Sequence, residues 1–261
     1  MSVISLALRS ALCLAVVLIL GAGAVAWPAR ADTTDTTPGR VDDGVTTIAV
    51  VGDSLAYGIW RSMYSQLQRD EAFDIVRWTE AATGLARPDF FDWTQSIDEL
   101  LASHAVDLAV VTIGLNDMQA LYVDGARSHT LRSDDWDREY RARVERMMDQ
   151  FLAADVDVFW VGLPIMRSNR FAGNIAHANG IYEAASVGRD VPFIPLWDAT
   201  TDASGNYASH LPDLRGRTRK MRDNDGIHFT IEGNNLITHT VLAGMTLHVP
   251  SLETALAARR R

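Results

Sequence analysis

Five short apolar segments alternate along the chain with longer segments in which apolar residues recur at helical spacing. This alternation limits the choice of fold more than any other feature of the sequence. The apolar segments, rich in Val, Ile, Phe and Trp, cover residues 46–51, 73–78, 107–113, 156–162 and 192–196. Each has the length of a β-strand, and most are apolar throughout, as strands covered on both faces are. The pattern therefore predicts a buried sheet.

The intervening segments predict helices. The strongest pattern is amphipathic and begins near Ser133, with apolar side chains at Trp136, Tyr140, Val144, Met147, Met148, Phe151 and Leu152. Weaker patterns cover residues 55–69, 94–104, 174–187 and 231–247, the last with Thr230 as its cap. Regular alternation of strand and helix predicts an α/β protein, a three-layer α/β/α sandwich with a five-stranded parallel sheet in flavodoxin-like order.

Length and charge exclude several classes of function. The 261 residues suit one domain with a sizeable core. With 24 basic and 33 acidic side chains the net charge is −9, and Lys220 is the only lysine. Such a chain lacks the basic surface that displaces counterions from phosphates, so no nucleic-acid partner is expected. The single cysteine, Cys13, excludes a disulfide framework and a cysteine-based metal site.

The amino-terminal residues have the pattern of a secretory signal. Arg9 precedes an apolar run at residues 11–27, and an Ala-Arg-Ala sequence ends at Ala31. We expect cleavage after Ala31 and a periplasmic or secreted protein. The alternative is an uncleaved membrane anchor, because the run approaches the roughly 20 residues that span a bilayer. The other predicted boundaries are a signal peptide at 1–31, a flexible acidic linker at 32–45, a folded domain at 46–250 and a C-terminal tail at 251–261.

Three loops that follow predicted strands carry residues suited to catalysis. In an open parallel sheet, sites lie beyond the carboxyl ends of the strands. The first strand runs into Gly52-Asp53-Ser54, the second leads to Gly84, and the third leads to Asn116. In a 2-1-3 strand order these three ends are neighbours, so we expect the Ser54 hydroxyl, the Gly84 amide and the Asn116 side chain to converge. The Ser54 hydroxyl would be the nucleophile, and the other two groups would donate hydrogen bonds to the oxyanion.

A nucleophilic serine needs a base, and one of the seven histidines has a suitable setting. His228 follows the last predicted strand, directly before the last predicted helix, and Asp225 lies three residues earlier. On one turn, this carboxylate can accept a hydrogen bond from Nδ1 of His228 and leave Nε2 to take the Ser54 proton. Asp53 and Asp117 flank the site, and we expect them to organise the backbone through local hydrogen bonds.

Together these residues resemble the signature of the GDSL-type, or SGNH, hydrolases. Ser54, Gly84, Asn116 and His228 match its four blocks in order and approximate spacing, with Asp225 as the third triad member. Segments 83–93, 162–167 and 225–230 resemble an exported bacterial branch that is usually described only as a domain of unknown function. The resemblance implies a three-layer α/β/α fold and Ser-His-Asp ester hydrolysis, with Ser54, Gly84 and Asn116 as the oxyanion hole and with neither metal nor cofactor. It leaves the substrate open.

Polar residues of the same loops predict the kind of ester. The loops should rim the strand ends and form a polar pocket with an aromatic wall, through Arg87, Asp89, Trp93, Arg167, Asn169 and Arg170. Such a lining favours a short ester, and an acetyl group above all, on an exported glycan. The competing interpretation is a solvated surface with Trp93 in the core. The polar segment 201–222 is interpreted either as a lid or as a mobile loop.

Two other functions fit the same residues. An O-acyltransferase would pass the acyl group to a cell-envelope polysaccharide or peptidoglycan, beside a membrane acyl exporter as its functional partner. A glycan-binding module that has lost turnover would keep the scaffold without the catalysis. Acetate release, acyl transfer to a glycan and labelling of Ser54 by a fluorophosphonate would distinguish the three.

Overall fold

The structure, a computed structural model, describes residues 44–258. The predicted signal, nearly all of the predicted linker and the last three residues lie outside this range. In chain order the strands are β1 (Thr46–Gly52), β2 (Phe73–Thr79), β3 (Leu108–Thr112), β4 (Tyr122–Val123), β5 (Ala126–Arg127), β6 (Asp157–Val161), β7 (Phe193–Ile194), β8 (His210–Pro212) and β9 (Thr218–Lys220). The α-helices are α1 (Ser54–Leu67), α2 (Trp93–Ser103), α3 (Asp134–Ala153), α4 (Asn169–Val187), α5 (Ile231–Thr246) and α6 (Pro250–Ala258).

Five strands form one parallel sheet in the order β2-β1-β3-β6-β7. This is the flavodoxin-like order predicted from the sequence. Strand β1 pairs along its length with β2 and at five positions with β3, and Ile48 to Val51 are completely buried. The edge strand β7 is shorter than predicted because only Phe193 and Ile194 pair with β6. The order places the carboxyl ends of β2, β1 and β3 side by side.

The helices form two packed groups. α1 packs against α5 and α5 against α6, whereas α3 packs against both α2 and α4. The predicted cap Ser133 accepts the Trp136 N–H at 3.2 Å and begins α3, and Thr230 accepts the Gly233 N–H at 3.2 Å and begins α5. The helices therefore start where the capping pattern predicts. Within the described range, no helix combines the length and the apolar character needed to cross a bilayer.

Two small hairpins and a terminal helix were not predicted. β4 and β5 form one hairpin, and β8 and β9 form the other, within the segment interpreted as a lid or a mobile loop. Asp213 closes the second turn by accepting the N–H groups of Arg215 and Arg217, each at 2.9 Å. Helix α6 covers most of the segment predicted as a C-terminal tail, and Leu252 in it is fully buried.

Candidate active site

The first site residue, Ser54, stands at the junction of β1 and α1. The turn is tight because Gly52 has a φ of +137°, and a Cβ at this position would lie 1.8 Å from the Thr112 carbonyl oxygen. Only glycine allows that approach. Asp53 caps α1 by accepting the Leu55 N–H at 2.9 Å. Ser54 is the first residue of the helix and is partly exposed, at the end where unpaired N–H groups favour negative charge.

Ser54, His228 and Asp225 form a continuous chain of hydrogen-bonding groups. The Ser54 Oγ lies 2.9 Å from Nε2 of His228, and Nδ1 of His228 lies 2.6 Å from Oδ2 of Asp225. When Nδ1 carries the ring hydrogen, it donates to the carboxylate and Nε2 accepts from the serine hydroxyl. The structure thus brings together the three residues that the sequence predicts as a triad, across 174 positions between serine and histidine.

The Asp225 carboxylate is held as an acceptor. Its Oδ1 accepts the N–H groups of Ile227 at 2.8 Å and of His228 at 3.0 Å, which leaves Oδ2 for the imidazole. Partial burial raises the pKa of Asp225, but the hydrogen bonds from the His228 ring and from these two N–H groups outweigh burial and lower the pKa to about 2. Asp225 is therefore ionised at neutral pH and can orient the imidazole and stabilise its cation.

Two arginines clamp the loop that carries Asp225 and His228. Arg167 donates to the carbonyl oxygens of Asn224 at 2.9 Å and Asp225 at 2.8 Å. Arg222 is fully buried and donates to the carbonyl oxygen of Ile227 at 2.7 Å. Arg167, which the sequence predicts as a substrate-binding residue, is exposed and directs its guanidinium group at the backbone of the loop that carries the triad. The role of Arg222 could not be predicted from the sequence, because a buried arginine in a basic segment has the same pattern as a solvated one.

Gly84 and Asn116 line one cavity. This small cavity, of about 210 Å³, is bordered by Ala82, Gly84, Arg87, Phe90, Asn116, Asp117 and Gln119. The Asn116 side-chain amide donates one hydrogen to the Thr83 carbonyl oxygen at 2.8 Å, which fixes the side chain and leaves its second hydrogen for another acceptor. Two of the predicted oxyanion donors therefore belong to the same concave surface.

Two buried carboxyl groups hold the loops of this surface together. Besides capping α1, Asp53 accepts the N–H groups of Gly114 at 3.2 Å and Leu115 at 3.0 Å, in the loop after β3. Asp117 accepts the N–H groups of Leu85 and Ala86, each at 2.8 Å, in the loop after β2. The sequence predicted local hydrogen bonds for Asp53 and Asp117. Most of their bonds instead connect the loops at the ends of different strands. They fix the relative positions of the loops that carry Ser54, Gly84 and Asn116.

Burial controls the protonation of these groups. It raises the pKa of Asp53 to about 7, although hydrogen bonds from the N–H groups of Leu55, Leu115 and Gly114 act in the opposite direction. Burial also raises the pKa of Asp117. Asp117 accepts the Tyr140 hydroxyl at 2.8 Å, and the hydroxyls of Tyr140 and Tyr182 lie 2.7 Å apart. Helical spacing identified Tyr140 as a core residue but could not show that its hydroxyl supports the site.

The other predicted substrate-binding residues have different surroundings. Arg87 and Asp89 form an ion pair at 2.8 Å, and the Arg87 guanidinium lies 3.8 Å from the centre of the Tyr122 ring. Trp93 is only 4% exposed and donates to Thr83 Oγ1 at 3.2 Å, so it belongs to the core, as the competing interpretation has it, and it does not border the cavity of Gly84 and Asn116. The exposed aromatic residue at the cavity is Phe90, which is 64% exposed and which the sequence did not single out.

The sheet order defines the class of fold: the chain has the three-layer fold that GDSL-type, or SGNH, hydrolases share. The resemblance found in the sequence is thereby confirmed. The chain belongs to the family described as "Protein of unknown function (DUF459)", whose model matches residues 47–244. A comparison with curated proteins finds no match to the sequence.

Solved structures with the same fold are distant in sequence. An inhibitor-bound aryl esterase of M. smegmatis is 18% identical, with a TM-score of 0.54 over 80% of this chain and 100% of the other. An acetyl xylan esterase is 16% identical, with a TM-score of 0.54 over 76% and 98%. A GDSL-like lipase of Bacteroides thetaiotaomicron is 14% identical, with a TM-score of 0.52 over 83% and 92%. At these identities the likeness establishes a shared fold.

Proposed function

We propose that the protein is a serine esterase of the SGNH type, which hydrolyses carboxylic esters without a metal or a cofactor. The observation that carries the proposal is the chain of hydrogen-bonding groups from Ser54 through His228 to Asp225, at the carboxyl ends of the sheet strands. Each member occupies the position that nucleophilic ester hydrolysis requires. The esterases and lipase with the same fold support this reaction class.

In the proposed reaction, Ser54 Oγ attacks the ester carbonyl carbon while His228 Nε2 removes the hydroxyl proton. The backbone amides of Ser54 and Gly84 and the Asn116 side chain donate hydrogen bonds to the developing oxyanion. When the tetrahedral intermediate collapses, the C–O bond to the alcohol breaks and His228 returns the proton to the leaving oxygen. A water molecule, deprotonated by His228, then releases the acyl group and restores Ser54. Asp225 stabilises the imidazolium in both steps.

We propose a short ester, with acetyl as the preferred acyl group, on an exported carbohydrate. The cavity next to Gly84 and Asn116 holds about 210 Å³, which suits a small acyl group better than a long chain. Arg87, Asn116 and Gln119 supply polar groups at its edge, and Phe90 supplies an exposed ring for a sugar face. Export is part of the proposal and is supported by the signal pattern before Ala31.

Turnover of p-nitrophenyl acetate tests the reaction class. Ser54→Ala should lower kcat by at least about 10⁴-fold with unchanged circular dichroism, because no other group can take the place of the nucleophile. Ser204→Ala, in an exposed loop, is the matched control and should keep wild-type activity. A Ser54→Ala variant with a kcat within tenfold of wild type would remove the basis of the proposal.

The acyl group and its acceptor need a second measurement. Comparison of p-nitrophenyl acetate with p-nitrophenyl octanoate should give a clear preference for acetate if the cavity sets the chain length. With an acetylated glycan as donor and an unacetylated glycan as acceptor, free acetate supports hydrolysis. Accumulation of newly acetylated acceptor would instead identify the O-acyltransferase that the same triad allows.

A further inference from the structure

One face of helix α1 carries a band of aromatic side chains, Tyr57, Trp60 and Tyr64, which we call the α1 aromatic strip. The ring centres of Tyr57 and Trp60 lie 5.7 Å apart and those of Trp60 and Tyr64 lie 5.6 Å apart, with interplanar angles of 33° and 27°. Tyr57 is 43% exposed and Tyr64 is 42% exposed. The three rings thus form one continuous band that solvent reaches at both ends.

The middle ring is fixed in place. Trp60 Nε1 donates to the Ile75 carbonyl oxygen at 3.3 Å, and the ring is half-buried against the core. The Arg77 guanidinium lies 5.4 Å from the centre of the Trp60 ring. A held tryptophan between two exposed tyrosines is pre-ordered, so binding a ligand there would require little further loss of side-chain freedom.

Charged groups at the border of the strip favour a polar ligand over an apolar protein surface. Arg61 lies on the same helical face, since residues 57, 61 and 64 recur at the spacing of one helical turn. Within residues 44–258, neither Arg61 nor Arg77 has an acidic partner. Guanidinium groups without an acidic partner can bind the hydroxyl or carboxylate groups of a polar ligand, and exposed apolar patches with a polar border mark interaction sites, ligand-binding grooves among them.

The α1 aromatic strip begins on the same helix as the candidate nucleophile. Helix α1 begins at the nucleophile Ser54, and Tyr57 follows one helical turn later. At a rise of 1.5 Å per residue, Tyr57 and Tyr64 are about 10.5 Å apart along the helix axis. This separation is close to the length of one disaccharide unit in an extended β-1,4-linked glycan. Rings at this spacing can stack on sugar faces of the same side of such a chain.

We propose that the α1 aromatic strip binds an extended β-1,4-linked polysaccharide and presents its ester-bearing units to Ser54. The inference rests on the proposed function for the identity of the reaction, and it adds that the substrate is a polymer. Aromatic rings contact the C–H faces of the sugars, while the tyrosine hydroxyls and the guanidinium groups of Arg61 and Arg77 bind hydroxyl or carboxylate groups.

Binding and turnover are measured separately with acetylated glucuronoxylan as the probe. The double variant Tyr57→Ala/Tyr64→Ala keeps the half-buried Trp60. In affinity electrophoresis it should have a Kd for the polymer at least tenfold higher than that of the wild type. It should raise the KM for acetate release from the polymer by a similar factor, and leave kcat/KM for p-nitrophenyl acetate unchanged. The matched control is Val187→Ala, which removes an apolar side chain that is 75% exposed at the end of α4, and it should bind like wild type.

The outcomes separate this inference from the proposed function. Ser54→Ala should bind the polymer with wild-type affinity. Polymer binding by a wild-type protein that has no esterase activity would contradict the proposed function but support the strip. A Kd for the double variant within twofold of wild type, or no binding by the wild type, would overturn the inference. A concentration-dependent dimer in sedimentation that the double variant abolishes, with no effect on glycan binding, would identify the strip as a contact between two copies and would also overturn it.

Discussion

Replacement of Asp225 by asparagine exchanges one oxygen for an amide nitrogen at the centre of the candidate triad. Oδ1 accepts the N–H groups of Ile227 and His228, so the amide oxygen of asparagine must keep that position. Its NH₂ group then faces Nδ1 of His228, at the place of the 2.6 Å hydrogen bond. Because two donors cannot pair, Nδ1 becomes an acceptor and the ring hydrogen moves to Nε2. The lone pair that should receive the Ser54 proton is lost.

The size of the effect distinguishes this explanation from a weaker one. Loss of a charged hydrogen bond alone removes about 1.5–3 kcal/mol, which is a fall of roughly 10- to 150-fold in kcat. Reversal of the tautomer lowers kcat by about 10⁴-fold. We expect the larger loss for Asp225→Asn, from initial rates with p-nitrophenyl acetate and with KM determined separately. Asp223→Asn is the control, because it makes the same charge change at an exposed carboxylate two residues away. A kcat of Asp225→Asn within tenfold of wild type would refute the reasoning.

Three further predictions concern the support of the site. Arg167→Met removes two hydrogen bonds to the loop of the triad and should lower kcat about 10- to 100-fold. The control Arg69→Met, at an exposed arginine after α1, should change kcat little, and equal kcat values for the two variants would count against the clamp. Gly114 has a φ of +115°, and a Cβ at this position would lie 2.0 Å from a tyrosine hydroxyl. Gly114→Ala should therefore lower the free energy of unfolding in urea by about 3 kcal/mol. Gly125→Ala, where φ is +74° and the space around a Cβ is open, should lower it by about 1 kcal/mol. Because hydrogen bonds lower the pKa of Asp225 to about 2, its contribution to stability is present above the ordinary carboxyl pKa of about 4 and is lost as the pH falls through 2. The wild type should therefore have a higher free energy of unfolding than Asp225→Asn, by an amount that is steady from pH 5 to 7 and smaller at pH 3. A difference that grows on acidification would contradict the stabilising role of the Asp225 carboxylate.

The parts of the protein that follow from local sequence pattern were predictable. Strand and helix positions depend on the period of the apolar residues, and the parallel sheet follows from their regular alternation. The turn from Asp225 to His228 is equally local, because three residues on one turn place the carboxylate beside the imidazole. For the same reason the caps at Ser133 and Thr230 lie where the sequence puts them.

The direction of individual side chains could not be predicted in this way, because it depends on what packs against them from distant parts of the chain. Phe90 and Trp93, the first residue of α2, are three positions apart, yet Trp93 is in the core and Phe90 is in solvent. Arg167 reaches carbonyl oxygens that are 57 and 58 positions away. The sequence by itself determined the fold and the order of the reacting residues. Only the tertiary structure decided which polar groups hold those residues in place and which aromatic rings face a substrate, since burial and long-range hydrogen bonds exist only once the chain is packed.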